Sequence, residues 1–500
     1  MRRSGPRIHT AKTYGKDYEK IVRAFKAGKK GATPADIVAA TGLPLNTVRE
    51  LVPKAADEFS GRLEVTESGE ILYSFPKGFN SRYRGLVPFC RRFFDKFIRG
   101  SIVTAAFLFK LWIMLMLLGY FVLFMAIALA SLFLSAAASS SNNRSRRGGN
   151  MYFSMGIFNL IIRLWFYSEL TRSFNSGYRQ GRVKQRSKPL HRAIFSFVFG
   201  DGDPNARWEE QEKKAFIAFL QEHRGVISLP EFMAITGLKP DEAETEITSF
   251  CVEFNGSPEA TEDGTVVYRF DEILLRSNPT NPRQEKKDGP PMLLKTLGAF
   301  SSNPEKMNWW FSLINGVNFL FGAYFLYNAA TIGHGILGKG AGIYWFVYTF
   351  IYSFTNPLPI IFGFLGIVPL AFSILFWLIP LFRRSALKKK NEKIRFENFR
   401  RFSFSKIWTS PLAIKKTDLK PVYREAGPRN LKEAQDKIIK EMGSYVMPEV
   451  TLDEAKNEVY SFADLDREKR ALEKYRASIN PEDSLLGKTV FDSGIDSADY

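Results

Sequence analysis

The chain has 500 residues, 14% of them aromatic with 45 Phe, and a formal net charge of +19 at pH 7. Its two cysteines, Cys90 and Cys251, exclude a disulfide framework, a cysteine zinc site and an iron–sulphur ligand set, and the four histidines, His9, His191, His223 and His334, fall at unrelated spacings with no HExxH or Ser/His/Asp pattern, so catalysis finds no footing. The length allows about three domains, and much of the positive excess lies beside apolar runs, which favours anionic lipid and membrane topology over nucleic acid.

Residues 1–30 are basic, and no apolar run follows within signal-peptide distance, so export of the N-terminus is not expected. A first module follows at 31–79, with a preceding helix from about residue 17. Thr33-Pro34-Ala35-Asp36 has the pattern of a helix start, a hydroxyl cap with a carboxylate three residues on. Gly42 suits the corner after that helix. A third helix is expected from Leu45 to Glu58, with Val48, Leu51, Val52 and Ala55 on its apolar face. Leu63-Glu64-Val65-Thr66 and Ile71-Leu72-Tyr73-Ser74-Phe75 then flank the turn Glu67-Ser68-Gly69-Glu70, a hairpin. Helix-turn-helix followed by a hairpin describes a winged helix.

Residues 80–101 read as a basic juxtamembrane segment. The next stretch, 102–168, reads as a transmembrane hairpin: Leu111 to Leu134 exceeds the roughly 20 residues that cross a bilayer, and Met151 to Tyr167, apolar except for Asn159 and Arg163, is taken as the returning span. A surface-lying helix is the alternative for that second run, because Arg144, Arg146 and Arg147 occupy the loop before it. The basic segment 169–204 belongs in the cytoplasm by the positive-inside rule.

The first module then returns at 205–276. Thr41-Gly42-Leu43 recurs as Thr236-Gly237-Leu238, 195 residues on (236 − 41), and this offset holds without a gap from Phe25/Leu220 to Phe75/Phe270. The second copy opens at Ser228-Leu229-Pro230-Glu231, carries Ala243, Ile247 and Phe250 on its third helix, and turns at Glu262-Asp263-Gly264-Thr265. That third helix bears Asp241, Glu242, Glu244, Glu246 and Glu253 with no Lys or Arg, so it repels a duplex. In the first copy Arg49 and Lys54, set against Glu50, Asp57 and Glu58, are the candidate nucleic-acid contacts, without the cluster that reads base edges.

The block Phe195-Ser196-Phe197-Val198-Phe199-Gly200-Asp201-Gly202-Asp203-Pro204-Asn205 precedes the second module. With the tandem TGL modules and several apolar segments, it resembles an uncharacterised family of membrane proteins of cyanobacteria, plastids and some other bacteria. The resemblance runs from Phe25 to the last apolar run and implies architecture and membrane location, without an activity. Some plastid members carry a label linking them to iron–sulphur cluster biogenesis, for which two distant cysteines supply no ligands. Asp201, Asp203, Asn205 and Glu212 also stand at positions one, three, five and twelve of a calcium loop, but Ala206 replaces the turn glycine and Pro204 intervenes. A turn and helix cap is the preferred reading, and no metal or cofactor is expected.

Residues 277–306 form a Pro-, Asn- and Lys-rich linker, and 307–382 a second transmembrane pair. Asn308-Trp309-Trp310 opens a span to Thr331, and the glycine-rich stretch Gly333 to Gly340 lacks the Ser/Thr of a phosphate loop. Asn356-Pro357-Leu358-Pro359 is expected to break the remainder into a short helix, Ile343 to Phe354, and a fourth span, Ile360 to Leu381. Residues 383–478 read as charged and helical, with Val459-Tyr460-Ser461-Phe462 echoing Leu72-Tyr73-Ser74-Phe75, and 479–500 as a disordered tail.

The sequence therefore predicts an α-rich α+β membrane protein with four transmembrane helices and two winged-helix-like modules bearing β-hairpin wings. It sits in the inner membrane with both modules and both termini cytoplasmic, contacts lipid headgroups, and presents the modules to an unidentified protein partner. The alternative is a membrane-tethered nucleic-acid-binding regulator acting through Arg49 and Lys54. A transporter finds little support, since Lys110 and Arg163 are nearly the only ionisable groups in the spans.

Overall fold

The computed structural model describes residues 15–28, 31–76, 78–81, 86–139, 188–277, 290–333, 342–421, 423–480 and 485–494. The expected span at 151–167, most of the basic segment after it and residues 334–340 lie outside these. Contacts divide the chain into two units, a strand-bearing unit of 1–97, 203–298 and 388–500 and an apolar unit of 98–202 and 299–387.

In the strand-bearing unit one arrangement occurs three times. The first motif comprises α1 (Gly15–Ala27), α2 (Pro34–Thr41), α3 (Leu45–Phe59), β1 (Arg62–Thr66) and β2 (Ile71–Ser74). Thr33 caps α2: its N–H donates to the Asp36 carboxylate at 3.0 Å and its hydroxyl accepts from the Asp36 N–H. Gly42, at φ 70°, ends the helix in the left-handed region that a Cβ disfavours. Val48, Leu51, Val52 and Ala55 of α3 are buried against this frame.

After α4 (Leu86–Ser139) and α5 (Leu190–Phe199), the second motif comprises α6 (Trp208–Glu222), β3 (Val226–Ser228), α7 (Leu229–Thr236), α8 (Pro240–Phe254), β4 (Ser257–Ala260) and β5 (Val266–Arg269). Here α7, α8 and β5 begin and end 195 residues after α2, α3 and β2. Ser228 and Glu231 repeat the capping contact, and Gly237 repeats the left-handed stop at φ 69°.

The third motif is marked in the sequence by its four-residue echo, Val459-Tyr460-Ser461-Phe462. Following α9 (Glu305–Thr331) and α10 (Ile343–Tyr352), the end of α11 (Val368–Thr409) serves as its first helix, and β6 (Ile414–Lys415), α12 (Leu431–Gly443), β7 (Glu449–Leu452) and β8 (Glu458–Ser461) complete it. A 3-10 turn, Lys416–Asp418, stands where the second helix would be, and the Lys415 N–H still donates to the Asp418 carboxylate at 2.9 Å. Register makes the correspondence specific. Tyr73, Tyr268 and Tyr460 each have a partner on both sides, Ala32 (through an isolated bridge), Ile227 and Ile414 on one and Leu63, Pro258 and Val450 on the other. The hairpin turns match as well, closed by Thr66 N to Glu70 O, Thr261 N to Thr265 O and Asp453 N to Asn457 O.

Two segments follow the third motif, α13 (Ala463–Ser478) and β9 (Thr489–Asp492). The tail expected to be disordered thus contains a strand, which pairs antiparallel with β1. Its composition hid this because the pairing partner lies more than 400 residues away.

The apolar unit corrects the count of spans. Among the described residues two helices, not four, are long and apolar enough to cross a membrane, Gly100–Phe133 and Pro357–Thr409. The expected third span, α9, has 27 residues, but Asn308, Asn315, Asn318 and Asn328 dilute its apolar character. Asn315 and Asn318 are fully buried and donate to the Ser373 and Leu117 carbonyls at 3.0 and 2.8 Å, polar contacts between apolar helices. α10 is short, as expected. The expected break falls at 353–356, between α10 and the next helix, and Pro357 and Pro359 stand in the first turn of that helix, where N–H groups need no partner, with Asn356 capping the Leu358 N–H at 3.1 Å.

A π-helical turn, Ile360–Ile367, precedes α11. Pro369 has no N–H for the Phe364 carbonyl five residues back, and the Tyr120 hydroxyl of α4 donates to that oxygen at 2.9 Å. Here α9 crosses closely: a Cβ on Gly322 would lie 3.1 Å from the Leu370 nitrogen, and one on Gly366 3.1 Å from Leu326 Cα.

Candidate functional site

The three motifs meet through a joint that is built twice. At the first joint, the Gly42 corner sits on α6: a Cβ there would lie 3.2 Å from the Glu210 carbonyl oxygen and 3.4 Å from Lys214 Cγ. At the second, the Gly237 corner sits on the end of α11, and a Cβ would lie 3.2 Å from the Glu397 carbonyl oxygen and 2.7 Å from Arg401 Cγ. Glu397 and Arg401 follow Glu210 and Lys214 by the same 187 residues that separate the ends of α6 and α11 (409 − 222). The corner of each of the first two motifs therefore seats on the first helix of the next.

A second contact repeats in step. The carboxylate that caps each second helix is bound by an arginine from beyond the next hairpin: Asp36 by Arg276 at 3.3 Å and Glu231 by Arg476 at 2.6 Å. Burial raises the Glu231 carboxyl, while the facing Arg476 opposes that rise. Neither arginine was singled out in the sequence, since nothing local marks them; the repeat of Asp36 at Glu231 is the signal that could have prompted a search for their partners.

Arg401 closes the second joint. Only 2% of its side chain is exposed; Nη2 donates to Glu212 at 2.9 Å, Nε to the Ile235 carbonyl at 3.1 Å, and the guanidinium lies 4.7 Å from the Trp208 ring. The Trp208 indole N–H shares the Glu212 carboxylate at 3.0 Å. Burial raises the Glu212 carboxyl, an effect opposed by Arg401 and Trp208. Beside it, Arg400 pairs with Glu441 and donates to the Gly237 carbonyl.

The candidate calcium ligands are employed elsewhere. Asp201, in the apolar unit, accepts from Lys188, from the Ser196 hydroxyl and from the Ser302 N–H and hydroxyl. Burial alone would raise its carboxyl, but these donors hold it well below the usual range. Arg383 donates to the carbonyls of Phe197, Val198 and Phe300, so the turn is a clamp on the end of α5. In the strand-bearing unit Asp203 pairs with Lys390, Asn205 exchanges hydrogen bonds with Thr296, and Glu212 binds Arg401. Among the described residues no group of three or more His, Cys, Asp or Glu could hold a metal ion.

The candidate nucleic-acid contacts are also engaged. Arg49 bridges Glu70 of its own hairpin at 2.9 Å and Glu272 of the second motif at 2.6 Å, and Lys54 pairs with Glu50. On α8, by contrast, Asp241, Glu242, Glu244 and Glu246 are exposed on the helix's outer face, with Val252 72% exposed beyond them. Buried Ala243, Ile247 and Phe250 face the core.

The chain is similar to an uncharacterized chloroplastic protein of Arabidopsis thaliana, 24% identical over 395 residues that cover 76% of this chain and 70% of the relative. No family model and no solved structure matches it.

Proposed function

We propose that this protein is a membrane-anchored scaffold that presents a row of three winged-helix-like motifs, evolved from one repeated unit, as a protein-binding surface. The two apolar helices anchor it, and Arg383, Arg384, Lys388, Lys389 and Lys390 after the second apolar run favour a cytoplasmic position for the row. The observation that carries this reading is the repeated joint, in which Gly42 and Gly237 seat on α6 and α11. It makes the row one continuous body and leaves the acidic face of α8 and the edge of the third hairpin to the outside. An acidic helix face recruits a basic protein surface and repels phosphates.

A nucleic-acid role through the first motif is disfavoured because Arg49 is already paired with two carboxylates, Glu70 and Glu272. Proximity labelling tests the reading, with the labelling enzyme fused after Tyr500. Reproducible marking of a small set of membrane or assembly proteins supports the scaffold. Marking dominated by nucleic-acid-bound proteins contradicts it.

A further inference from the structure

The outer edges of the three hairpins differ in what lies along them. In the first motif β9 fills the edge of β1: the Leu63 N–H donates to the Ser493 hydroxyl at 2.9 Å, the Leu63 carbonyl accepts from Ser493 at 3.0 Å, and the Glu67 N–H donates to the Lys488 carbonyl at 2.9 Å. Arg62 holds Asp492 of the added strand, Nε to Oδ1 at 2.7 Å, and Phe491 lies opposite Val65. In the second motif α13 flanks β4, with Tyr475 bonded to Glu259 and Lys474 to Glu262.

In the third motif no strand lies along the edge among the described residues. Among the described residues β7 has β8 as its one strand neighbour, all four of its residues are exposed, and Met447, Val450 and Leu452 are 85%, 55% and 68% exposed. Val450 stands opposite Tyr460 as Leu63 stands opposite Tyr73, so its main-chain N–H and carbonyl are directed outward as those of Leu63 are. Leu452 takes the place of Val65, and Glu449, opposite Ser461, takes the place of Arg62, opposite Ser74. The edge keeps the geometry that binds a strand in the first motif and reverses its charge.

We propose that β7 is a strand-addition site for an extended segment of another protein. That segment runs antiparallel to β7, sets an apolar side chain opposite Leu452, and offers a Lys or Arg to Glu449 where β9 offers Asp492 to Arg62. The charge decides against the chain's own tail, since Asp492 of a second copy would meet Glu449. It also decides against β7 pairing with itself, which brings like-charged strands together. This inference rests on the scaffold reading, and it supplies the chemistry of one partner segment.

The test uses the full chain in lipid nanodiscs and two fluorescent peptides, residues 485–494 of this chain and the same peptide carrying Asp492→Arg. At physiological salt the substituted peptide binds at least about tenfold more tightly than the native one, and Glu449→Arg in the protein reverses that order. Val450→Pro, which removes an outward N–H without touching the ladder to β8, weakens the substituted peptide at least about tenfold and leaves the melting temperature unchanged. The inference is overturned if the substituted peptide does not bind, if Val450→Pro leaves its binding intact, or if the protein instead dimerises through β7. Peptide failure combined with discrete protein neighbours in proximity labelling removes this edge and leaves the scaffold standing.

Discussion

Arg401 and Glu212 meet at 2.9 Å across the second joint, the arginine almost wholly enclosed by Trp208 and the carbonyl end of α7. An ion pair so placed contributes little net stability over an apolar substitute, yet removing one partner strands the other in a medium that cannot solvate it. Arg401→Met is expected to cost about 3–5 kcal/mol, and Arg401→Met with Glu212→Leu to recover more than half of that. Denaturant unfolding of the detergent-solubilised protein reads both.

The joint glycines carry two burdens, backbone conformation and close approach, and these can be separated. Gly264 has φ 79° in an open turn, with nothing within 4 Å of a Cβ, whereas a Cβ on Gly237 would strike Arg401 Cγ at 2.7 Å. Gly264→Ala should cost about 1 kcal/mol, the left-handed strain alone. Gly237→Ala should cost roughly 2–3 kcal/mol, since Arg401 must also move. Equal losses in thermal unfolding would show that the corner does not bear on α11.

Stability should depend on pH through Glu468 of α13. Burial pushes its carboxyl up from 4.5 to about 7, the hydrogen bond from the Tyr445 hydroxyl opposes this, and Glu231 adds to it. The folded state therefore keeps a proton that the unfolded chain releases, so this contribution is full below about pH 4.5 and is lost as pH rises towards 7. Glu468→Gln removes this share of the slope and gains roughly 1–3 kcal/mol above pH 7, measurable as a smaller fall in melting temperature across the window than in the unaltered protein.

In the apolar unit Gly366 faces Leu326 with no room for a side chain, while Gly363, three residues earlier, has nothing within 4 Å of a Cβ. Gly366→Leu should separate α9 from the π-helical turn and lower the melting temperature by several degrees, whereas Gly363→Leu should be nearly silent. Parallel melting curves of the two purified variants decide it.

The parts of the fold legible in the sequence are those governed by neighbours a few residues apart. Thr33 with Asp36, Ser228 with Glu231, and the corners Gly42 and Gly237 announce their helices through local hydrogen bonding and left-handed backbone, and the structure places the helix ends there. The third motif escaped because its second helix shrinks to the turn Lys416–Asp418 and the loop up to Asn430 shifts the register of everything beyond. Its first helix is also the end of α11, whose start reads as membrane-spanning. β9 escaped because Gly487, Ser493 and Gly494 give its surroundings a disordered composition, and only the distant edge of β1 makes it a strand. Likewise the roles of Arg276, Arg401 and Arg476 are set by contacts between motifs, which periodicity does not report. Asn315 and Asn318 look like blemishes in a span until their carbonyl partners on neighbouring helices are seen.

The proposed scaffold would bind protein through the outward surfaces of its row of motifs. Site-specific photocrosslinking in native membranes tests it most directly, with the photoreactive residue placed at Glu246 on the acidic face of α8, at Val450 on β7, and at Asn46 on α3. Discrete protein adducts are expected from positions 246 and 450, reproducible between preparations, with no nucleic-acid adduct from position 46. Nucleic acid crosslinked at position 46, with neither outward position yielding a protein adduct, would contradict it.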